Sequence, residues 1–472
     1  MYLKKNLYSS IIKNFGFSLS SDQQLASQAI AEFITSSEAY SCFLLKGYAG
    51  TGKTTLVAAL VKALTENGIK VVLLAPTGRA AKVLSSYSGF PAYTIHKWIY
   101  KQKSQSDGVG SFVLDRNLSR NCIFITDEAS MLSNSSVDES VFGTGQLLSD
   151  LVSYIQSGDN CKLILVGDEA QLPPVKLSVS PAMNRKELSY LGYETIEMTL
   201  TEVLRQESES GILHNATILR ESLSESIKTP PKFNDIGFPD FIRVSGQEVI
   251  EAIENCYGKD GVEETVIINY SNKRANLYNQ GIRNRILWHE DEITSGDLLM
   301  VARNNYFWSE SIEGIPFIAN GDTLRVKKIK GYKELYGFRF AEADVELIDY
   351  QQQEFTAMLL LDTLSVDGPS LPVDRQKMLF EKVLEDYEQV KTKAARIKKL
   401  KTDPYFNALQ VKFAYAITCH KAQGGQWKNV FIDQGFVNPQ NINSDYYRWL
   451  YTAITRATQK VFLVNFPDDF FI

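Results

Sequence analysis

The 472-residue chain has no long apolar run, few cysteines and no excess of basic residues. No apolar stretch approaches the roughly 20 residues that a membrane-spanning helix needs, so we expect no contact with a membrane. The first residues, "MYLKKNLYSSIIKNFGF", lack the continuous apolar centre of a secretory signal. These absences favour a cytoplasmic location.

The five cysteines form no recognisable metal-binding pattern. They lie at least 39 positions apart, whereas the ligands of zinc and iron–sulfur sites are grouped within a few residues. Three of them fall in apolar stretches that are typical of strands. We therefore expect buried free thiols in a reducing compartment.

The balance of charge is slightly acidic, with a formal net charge of −5. Taken alone, this value argues against a nucleic-acid partner, because phosphate binding favours basic surfaces. Net charge hides local clusters, however, and residues 391–401, "KTKAARIKKLK", contain six basic residues and no acidic one. Such a run is ordinarily a solvated helix face, and a nucleic-acid contact is the other interpretation.

Apolar runs alternate with helical patterns between residues 41 and 200, which is typical of an α/β protein with a parallel sheet. A chain of this length should form two to four domains. The predicted strands of the first unit are "CFLLKG", "KVVLLAP", "NCIFITDE", "CKLILVGD" and "TIEMTL". A polar segment, residues 101–120, interrupts the unit and could be a protruding hairpin or a long loop.

A second α/β unit opens near residue 201 and contains the predicted strand "ETVIINYS". The pattern becomes β-like from about residue 296 to 363, and a charged helical segment follows. The α/β pattern then resumes with "NVFIDQG" and "QKVFLVNF". We therefore predict that a mostly β module is inserted into the second α/β domain.

Residues 47–54, "GYAGTGKT", fit the P-loop pattern that binds nucleoside triphosphates, with a predicted strand before and a helical pattern after. The glycines let backbone N–H groups approach the phosphates, and the helix N-terminus adds partial positive charge. Lys53 can contact the β- and γ-phosphates, and the Thr54 hydroxyl can bind Mg²⁺. The sequence thus predicts ATP and Mg²⁺ as ligands.

Two more stretches supply groups for hydrolysis at the same sheet edge. The strand "CIFIT" ends in Asp127 and Glu128, and open α/β sheets bind ligands at the carboxyl ends of their strands. Asp127 can hold Mg²⁺ through its coordinated water, and Glu128 can polarise the attacking water. In "LILVGDEAQLPPV", Gln171 lies within reach of a γ-phosphate, although a lone loop glutamine is ordinarily solvated.

Eight motifs in order resemble the motif series of superfamily-1 DNA helicases, and the resemblance is closest to the RecD-like, Dda-like branch. They are "GYAGTGKTT", "APTGRAAKVL", "TIHKW", "TDEAS", "GDEAQLPPV", "LTEVLRQ", "ITCHKAQGGQW" and "YTAITRA". The resemblance extends from about Gln23 to Arg456, and "QLPPV" and "HKAQG" are its more specific elements. One departure is Gln426, where many relatives have an acidic residue, although an amide can also hydrogen-bond a ribose hydroxyl.

The resemblance implies an α/β fold with two RecA-like parallel-sheet P-loop NTPase domains and ATP in the cleft between them. The first domain is expected to comprise residues 1–97 and 121–200, with a hairpin or strand-separating pin at 98–120. The second is expected to comprise residues 201–295 and 406–472, with an SH3-like β module and charged helices at 296–405. Phe112 is the candidate for an apolar tip of the pin.

The resemblance also implies roles for individual residues. The expected catalytic residues are Lys53, Glu128, Gln171, Arg205 and Arg456, and Mg²⁺ is expected at Thr54 and Asp127. The nucleotide is expected at Gln23, Gly47, Ala49, Gly50, Thr51, Gly52, Lys53, Thr54, Thr55, Gly424 and Gln426, with Gln24 as the alternative to Gln23. The DNA strand is expected at Thr77, Arg79, Thr94, His96, Thr418 and His420, where the two histidines could instead be packed loop residues.

The activity implied is that of an ATP-dependent DNA helicase moving 5′ to 3′ on single-stranded DNA and separating duplex strands. Its expected partners are single-stranded DNA and forked duplex DNA, bound by a monomer that could work with single-strand-binding or recombination proteins. One alternative is a translocase that displaces proteins, or serves a recombination complex, without efficient unwinding. Another is a nucleic-acid-binding scaffold that ATP switches, but the acid pair and the two arginines argue against it.

Overall fold

The computed structural model describes residues 2–38, 41–102, 112–134, 144–203, 210–225, 229–312, 315, 317–350, 352–438 and 442–472. Two parallel sheets and a closed β-barrel organise the chain. The prediction of two α/β units with an inserted β module is therefore confirmed. Among the described residues, no helix is both long and apolar enough to cross a bilayer.

The first lobe is built on a six-stranded parallel sheet in the order β3-β2-β6-β7-β1-β8. Its strands are β1 (Ser41–Gly47), β2 (Lys70–Ala75), β3 (Ala92–Thr94), β6 (Cys122–Thr126), β7 (Lys162–Gly167) and β8 (Glu194–Leu200). The central strands β6 and β7 are buried along their whole length, as expected for parallel strands covered on both faces. Their carboxyl ends therefore meet at one edge, where the acidic motifs lie.

Within the described part of the first lobe there are seven helices. They are α1 (Tyr2–Phe15), α2 (Ser21–Thr35), α3 (Lys53–Glu66), α4 (Gly78–Ser88), α5 (Ile95–Ile99), α6 (Leu147–Gln156) and α7 (Arg185–Tyr190). Helix α2 begins with a capping box, in which Ser20 and Gln23 exchange side-chain and backbone hydrogen bonds. Helix α3 starts at the P-loop lysine, so its first turn faces the nucleotide site.

The predicted pin region contains a short antiparallel pair, β4 (Tyr100–Gln102) and β5 (Phe112–Leu114). Residues 103–111, which contain most of "SQSDGVGSF", lie outside the described residues. Phe112 is not an exposed tip, because it is only 3% exposed. Its ring lies 5.1 Å from the ring of Tyr306 and 6.1 Å from that of Phe317. The placement of Phe112 at the tip was wrong, since the apolar ring packs against the segment that joins the first two strands of the barrel.

The second lobe is built on a five-stranded parallel sheet in the order β16-β10-β17-β18-β9. Its strands are β9 (Phe241–Val244), β10 (Thr265–Asn269), β16 (Ala416–Thr418), β17 (Trp427–Asp433) and β18 (Ala457–Val464). Its helices are α8 (Gly211–Ser222), α9 (Val249–Asp260), α10 (Asn272–Arg285), α13 (Cys419–Ala422) and α14 (Ser444–Ile454). Helix α14 is buried along nearly its whole length and faces the first lobe.

The inserted module is a closed barrel of five strands. They are β11 (Leu298–Val301), β12 (Thr323–Leu335), β13 (Phe338–Leu347), β14 (Gln353–Leu360) and β15 (Leu409–Phe413), and α11 (Val373–Glu385) and α12 (Lys393–Lys401) connect the last two. Strand β15 lies beyond the expected limit at residue 405, and it pairs with both β11 and β14. Its pairing closes the barrel and removes the exposed edges that an open sheet would leave.

Candidate nucleotide site between the two lobes

A cavity of about 810 Å³ lies between the two lobes. The first lobe contributes the P-loop, the acid pair and Gln171, and the second contributes Gly424, Gln426 and Arg456. Such a cavity has room for a ligand of nucleotide size. The structure therefore brings groups from distant parts of the sequence to one cleft.

The P-loop wraps around the start of α3. Gly50 and Gly52 have φ angles of 78° and 79°, a left-handed conformation that strongly favours glycine. Nζ of Lys53 donates to the carbonyl oxygens of Gly47 at 2.6 Å and Tyr48 at 2.8 Å, and lies 3.9 Å from Oδ2 of Asp168. The lysine thus points along the loop toward the carboxyl end of β7.

The residues around the loop fit a nucleoside triphosphate. The first-turn residues Lys53, Thr54 and Thr55 all line the cavity, and the first N–H groups of a helix lack partners inside it. Oε1 of Gln171 is buried and has no hydrogen-bond partner within the described part of the chain. A ligand or its attacking water can supply the bond that this oxygen lacks, because Gln171 faces the same cavity.

The acid pair follows β6 directly. The Tyr87 hydroxyl on α4 donates to Oδ2 of Asp127, and the backbone N–H of Glu128 donates to Oδ1 of Asp127 at 2.8 Å. Glu128 itself has a φ of 52°, which is uncommon for a residue with a side chain and marks sites where geometry is constrained. This turn separates the two carboxylates and leaves both on the cavity wall.

Arg456 reaches Glu128 from the second lobe. Nη1 of Arg456 lies 3.6 Å from Oε1 of Glu128, whose side chain is 21% exposed. Enclosure raises the pKa of Glu128, the positive charge of Arg456 lowers it, and neighbouring Asp127 raises it again. The guanidinium is held by the carbonyl oxygen of Thr452 and the hydroxyl of Thr455, at 3.1 and 3.2 Å.

The segment around Gln171 and Leu172 is hydrogen-bonded to the second lobe. The backbone N–H of Leu172 donates to the Thr452 hydroxyl at 2.9 Å, and its carbonyl oxygen accepts from Nε2 of Gln423 at 2.7 Å. Arg448 donates to the carbonyl oxygen of Gln171 at 3.2 Å. Displacement of one lobe against the other would therefore act directly on the loop that carries Gln171.

Several expected nucleotide residues do not line the cavity. Gln23 is fully buried, and its amide is engaged by the Ser20 N–H at 3.0 Å and the Thr51 carbonyl oxygen at 2.9 Å. Gln24 is exposed and donates to the carbonyl oxygen of Leu19. Gln23 thus stabilises the P-loop from the side away from the cavity, because its hydrogen bond to the Thr51 carbonyl oxygen restrains the loop backbone. Gly47 and Thr51 are also absent from the lining, and Arg205 lies outside the described residues.

The residues expected to contact DNA in the first lobe have partners within the protein. The hydroxyls of Thr77 and Thr94 cap α4 and α5, and the guanidinium of Arg79 lies 3.8 Å from the ring centre of Trp427. His96 packs between Tyr100 and Phe317, with ring centres 5.8 and 6.0 Å away. Burial lowers the pKa of His96 to about 4, which favours the neutral ring at pH 7.

The two expected DNA residues of the second lobe lie at the start of α13. Thr418 is half-buried and His420 is exposed. Gly424 follows with a φ of 73°, and a Cβ there would lie 2.8 Å from Cβ of Ala80 on α4. The motif "HKAQGG" therefore rests on the helix that carries Arg79.

Sequence reasoning missed Tyr87 and Asp168, which line the cavity, and Tyr451, whose hydroxyl accepts from the backbone N–H of Ala49 in the P-loop at 2.8 Å. Asp168 was visible as the acid that ends the strand "LILVG", in the same position as Asp127 after β6. The two tyrosines carry no comparable signal, because a tyrosine within an apolar helical pattern ordinarily indicates packing.

Two family models and several known proteins match this chain. Residues 18–228 match a family model described as an AAA domain, and residues 413–464 match one described as a UvrD-like helicase C-terminal domain. The ATP-dependent DNA helicase dda of Enterobacteria phage T4 is 25% identical over 89% of this chain and 93% of its own. The uncharacterized protein R530 of Acanthamoeba polyphaga mimivirus is 25% identical over 93% and 98%. A solved structure of Pif1 helicases at forked double-stranded DNA covers 97% of this chain and 94% of its own, at 15% identity and a TM-score of 0.46.

Proposed function

We propose that the chain belongs to the superfamily-1 DNA helicases of the RecD-like and Dda-like branch, and that ATP hydrolysis drives it 5′ to 3′ along single-stranded DNA and through duplex DNA. The observation that carries this proposal is the approach of Arg456, from the second lobe, to within 3.6 Å of Glu128 in the first. Because both lobes contribute catalytic residues, the rate of ATP hydrolysis depends on the relative position of the two lobes.

Different residues of the cleft carry out different steps of ATP hydrolysis. Lys53 and the first N–H groups of α3 bind the β- and γ-phosphates, and Gln171 orients the attacking water. Glu128 accepts a hydrogen bond from that water, while Arg456 stabilises the charge that develops on the γ-phosphate. Arg205 is proposed as a second arginine on the basis of its motif alone.

Thr54 and Asp127 would hold Mg²⁺ next to the triphosphate. A hydroxyl and a carboxylate are the oxygen donors that this hard cation prefers, and it commonly takes only one or two protein ligands. Both residues line the cavity, which fits such a site. When bound, Mg²⁺ neutralises negative charge on the phosphates. The Tyr87 hydroxyl orients the carboxylate of Asp127 for this role.

The same contacts suggest how hydrolysis becomes movement. Leu172 is bonded to Thr452 and Gln423 of the second lobe, and it follows Gln171 directly. A closed cleft holds Gln171 and Arg456 on the nucleotide, and an open cleft separates them. If each lobe grips the same strand, cycles of closing and opening move the lobes past one another along it.

We propose that the strand runs over both lobes, beside Thr77, Arg79 and Thr94 of the first and Thr418 and His420 of the second. The exposed His420 is better placed for this role than the packed His96. Residues 98–120 are proposed as the strand-separating element and the barrel as the module that supports it, with the barrel extended to include β15. The buried ring of Phe112 ties these two elements together.

Turnover of ATP with and without single-stranded DNA or RNA is the first test. We expect stimulation by DNA, loss of turnover in Lys53→Ala, and parental turnover in Lys62→Ala, which removes an exposed lysine of the same helix. Parental turnover in Lys53→Ala would contradict the assignment of the site.

Forked duplexes with one single-stranded tail then separate the candidate activities. Unwinding from a 5′ tail alone supports the proposal, and unwinding from a 3′ tail alone contradicts the polarity. Movement on single strands without unwinding from either tail would instead identify a translocase that displaces proteins.

A further inference from the structure

One side chain of the second lobe joins two groups of the first. The Tyr451 hydroxyl on α14 donates to Oδ2 of Asp168 at 2.6 Å, and accepts from the backbone N–H of Ala49 at 2.8 Å. Ala49 lies in the P-loop, and Asp168 follows β7. The hydroxyl therefore uses its one hydrogen and a lone pair on two polar groups across the cleft.

The hydroxyl and the carboxylate are buried, whereas Ala49 is half-buried at the cavity wall. Tyr451 and Asp168 are each 1% exposed. A buried polar group needs a hydrogen-bond partner, because leaving it unpaired costs about 1–3 kcal/mol. The Tyr451 hydroxyl bonds both Ala49 and Oδ2 of Asp168, so these two bonds form or break together. Oδ1 of Asp168 accepts from the Ala170 N–H at 2.9 Å.

The contact also reaches the P-loop lysine. Nζ of Lys53 lies 3.9 Å from Oδ2 of Asp168, the same oxygen to which Tyr451 donates. An oxygen that already accepts a short hydrogen bond is a weaker acceptor for the ammonium group. The Tyr451 hydroxyl thus restrains Asp168 from drawing Lys53 away from the phosphates.

We propose that Tyr451 is a positioning residue through which closure of the second lobe sets the P-loop backbone and frees Lys53 for the nucleotide. This inference rests on the proposed function, because it assigns a regulatory contact to the same site. Hydrogen bonds weaken steeply once donor and acceptor separate beyond about 3.5 Å. A lobe displacement of one or two ångströms therefore removes both bonds and leaves Asp168 free to pair with Lys53.

Substitution of Tyr451 by phenylalanine removes the hydroxyl and keeps the ring. Tyr447→Phe is the matched control: it lies one turn earlier on α14, and its hydroxyl donates to the carbonyl oxygen of Thr229, away from the P-loop. Affinity for fluorescent ADP and for a non-hydrolysable ATP analogue is measured without DNA. We expect Tyr451→Phe to weaken binding of the ATP analogue by about tenfold and Tyr447→Phe to change it less than twofold.

A double-mutant cycle with Asp168→Asn tests the route through Asp168. If Tyr451 acts by restraining Asp168, Tyr451→Phe should weaken ATP-analogue binding much less in the Asp168→Asn background than in the parent. Equal losses in both backgrounds would overturn the proposal. So would a lowered melting temperature with parental nucleotide affinity, since that result is expected of a tyrosine that only stabilises the fold.

Turnover measurements separate this inference from the proposed function. In a parent whose ATP turnover rises with single-stranded DNA, Tyr451→Phe should lose most of that rise, and a full rise would contradict a role in closure. If DNA does not stimulate the parent, the proposed function fails, and the binding measurements made without DNA still decide the role of Tyr451.

Discussion

Nη1 of Arg456 lies 3.6 Å from Oε1 of Glu128, although the two residues belong to different lobes and are far apart in sequence. Arg456 is buried and is further held by backbone and hydroxyl oxygens of its own lobe. Its position is therefore fixed relative to α14. Its distance from Glu128 consequently depends on how far the cleft between the lobes is open.

This pair predicts a pH effect with a definite sign. Enclosure raises the pKa of Glu128, and the charge of Arg456 opposes that rise. Removing the charge in Arg456→Ala leaves the pKa of Glu128 higher, so the carboxylate that accepts from water forms only at higher pH. We expect the acidic limb of the kcat–pH profile to move to higher pH and turnover to fall more than nucleotide affinity.

Arg456→Lys provides the control for charge. The lysine keeps a positive charge near Glu128 but loses the planar fork of donors, so the acidic limb should stay close to that of the parent while kcat still falls. An acidic limb that is unchanged in Arg456→Ala would show that Glu128 does not limit turnover as a base. Parental turnover in the presence of single-stranded DNA would refute the assignment of Arg456 itself.

Tyr87 predicts an effect on magnesium dependence. Its hydroxyl donates to Oδ2 of Asp127, and partners that orient a ligating carboxylate are typically worth 10- to 100-fold in metal affinity or activity. In Tyr87→Phe we expect the Mg²⁺ concentration for half-maximal ATP turnover to rise by about tenfold. Tyr190→Phe, which alters an exposed tyrosine of the same lobe, should leave it unchanged. An equal Mg²⁺ requirement in Tyr87→Phe would place the metal elsewhere.

Long apolar strands were the part of the fold that sequence predicted well. Runs such as "CFLLKG" and "CKLILVGD" became β1 and β7 because parallel strands buried on both faces are apolar throughout. Short strands were not predicted. Strands β3 and β16 have three residues each at the edges of their sheets, which is too few for a periodic pattern. Closure of the barrel by β15 depends on pairing with strands distant in sequence.

The site was predictable where a motif prescribes the chemistry. Lys53, Asp127 and Glu128 follow from a loop pattern and a strand end, and the structure places them on one cavity wall. Phe112 and Tyr451 were not predictable, because their partners come from other parts of the chain. The predicted tip residue is buried against Tyr306, and an unremarked tyrosine of α14 contacts the P-loop.

The burial of Phe112 predicts that strand separation depends on the base of the hairpin. Its ring packs on Tyr306 and Phe317, which precede the second barrel strand. Phe112→Ala should cost about 3 kcal/mol of local packing. Melting each base pair costs roughly 1–2 kcal/mol, which is less than the packing energy lost. A hairpin without this packing should therefore be displaced by the duplex instead of separating its strands.

We expect Phe112→Ala to lose most unwinding of a 5′-tailed fork while keeping ATP turnover stimulated by single-stranded DNA. Phe112→Leu retains much of the apolar volume and should unwind at an intermediate rate. If Phe112→Ala unwinds forks at the parental rate, the hairpin base does not support strand separation.

Arg79 offers the sharpest test of the proposed DNA path. Its guanidinium lies 3.8 Å from the ring centre of Trp427, and Nε lies 2.9 Å from where a Cβ on Gly425 would be. The arginine therefore joins α4 to the second lobe. It can bind a DNA phosphate only if the DNA displaces its guanidinium from Trp427. These two roles differ in their dependence on salt.

A phosphate contact releases a condensed counterion, so each one adds about 0.7 to the slope of log K against log salt for single strands. If Arg79 binds a phosphate, Arg79→Ala should lower the magnitude of that slope by about 0.7 as well as weakening binding. Arg243→Ala is the matched control, because Arg243 also stacks on an aromatic ring, 3.4 Å from that of Phe471, and pairs with Asp235. Weaker binding of single-stranded DNA by Arg79→Ala with an unchanged slope would mean that Arg79 acts through Trp427 and not on the DNA backbone.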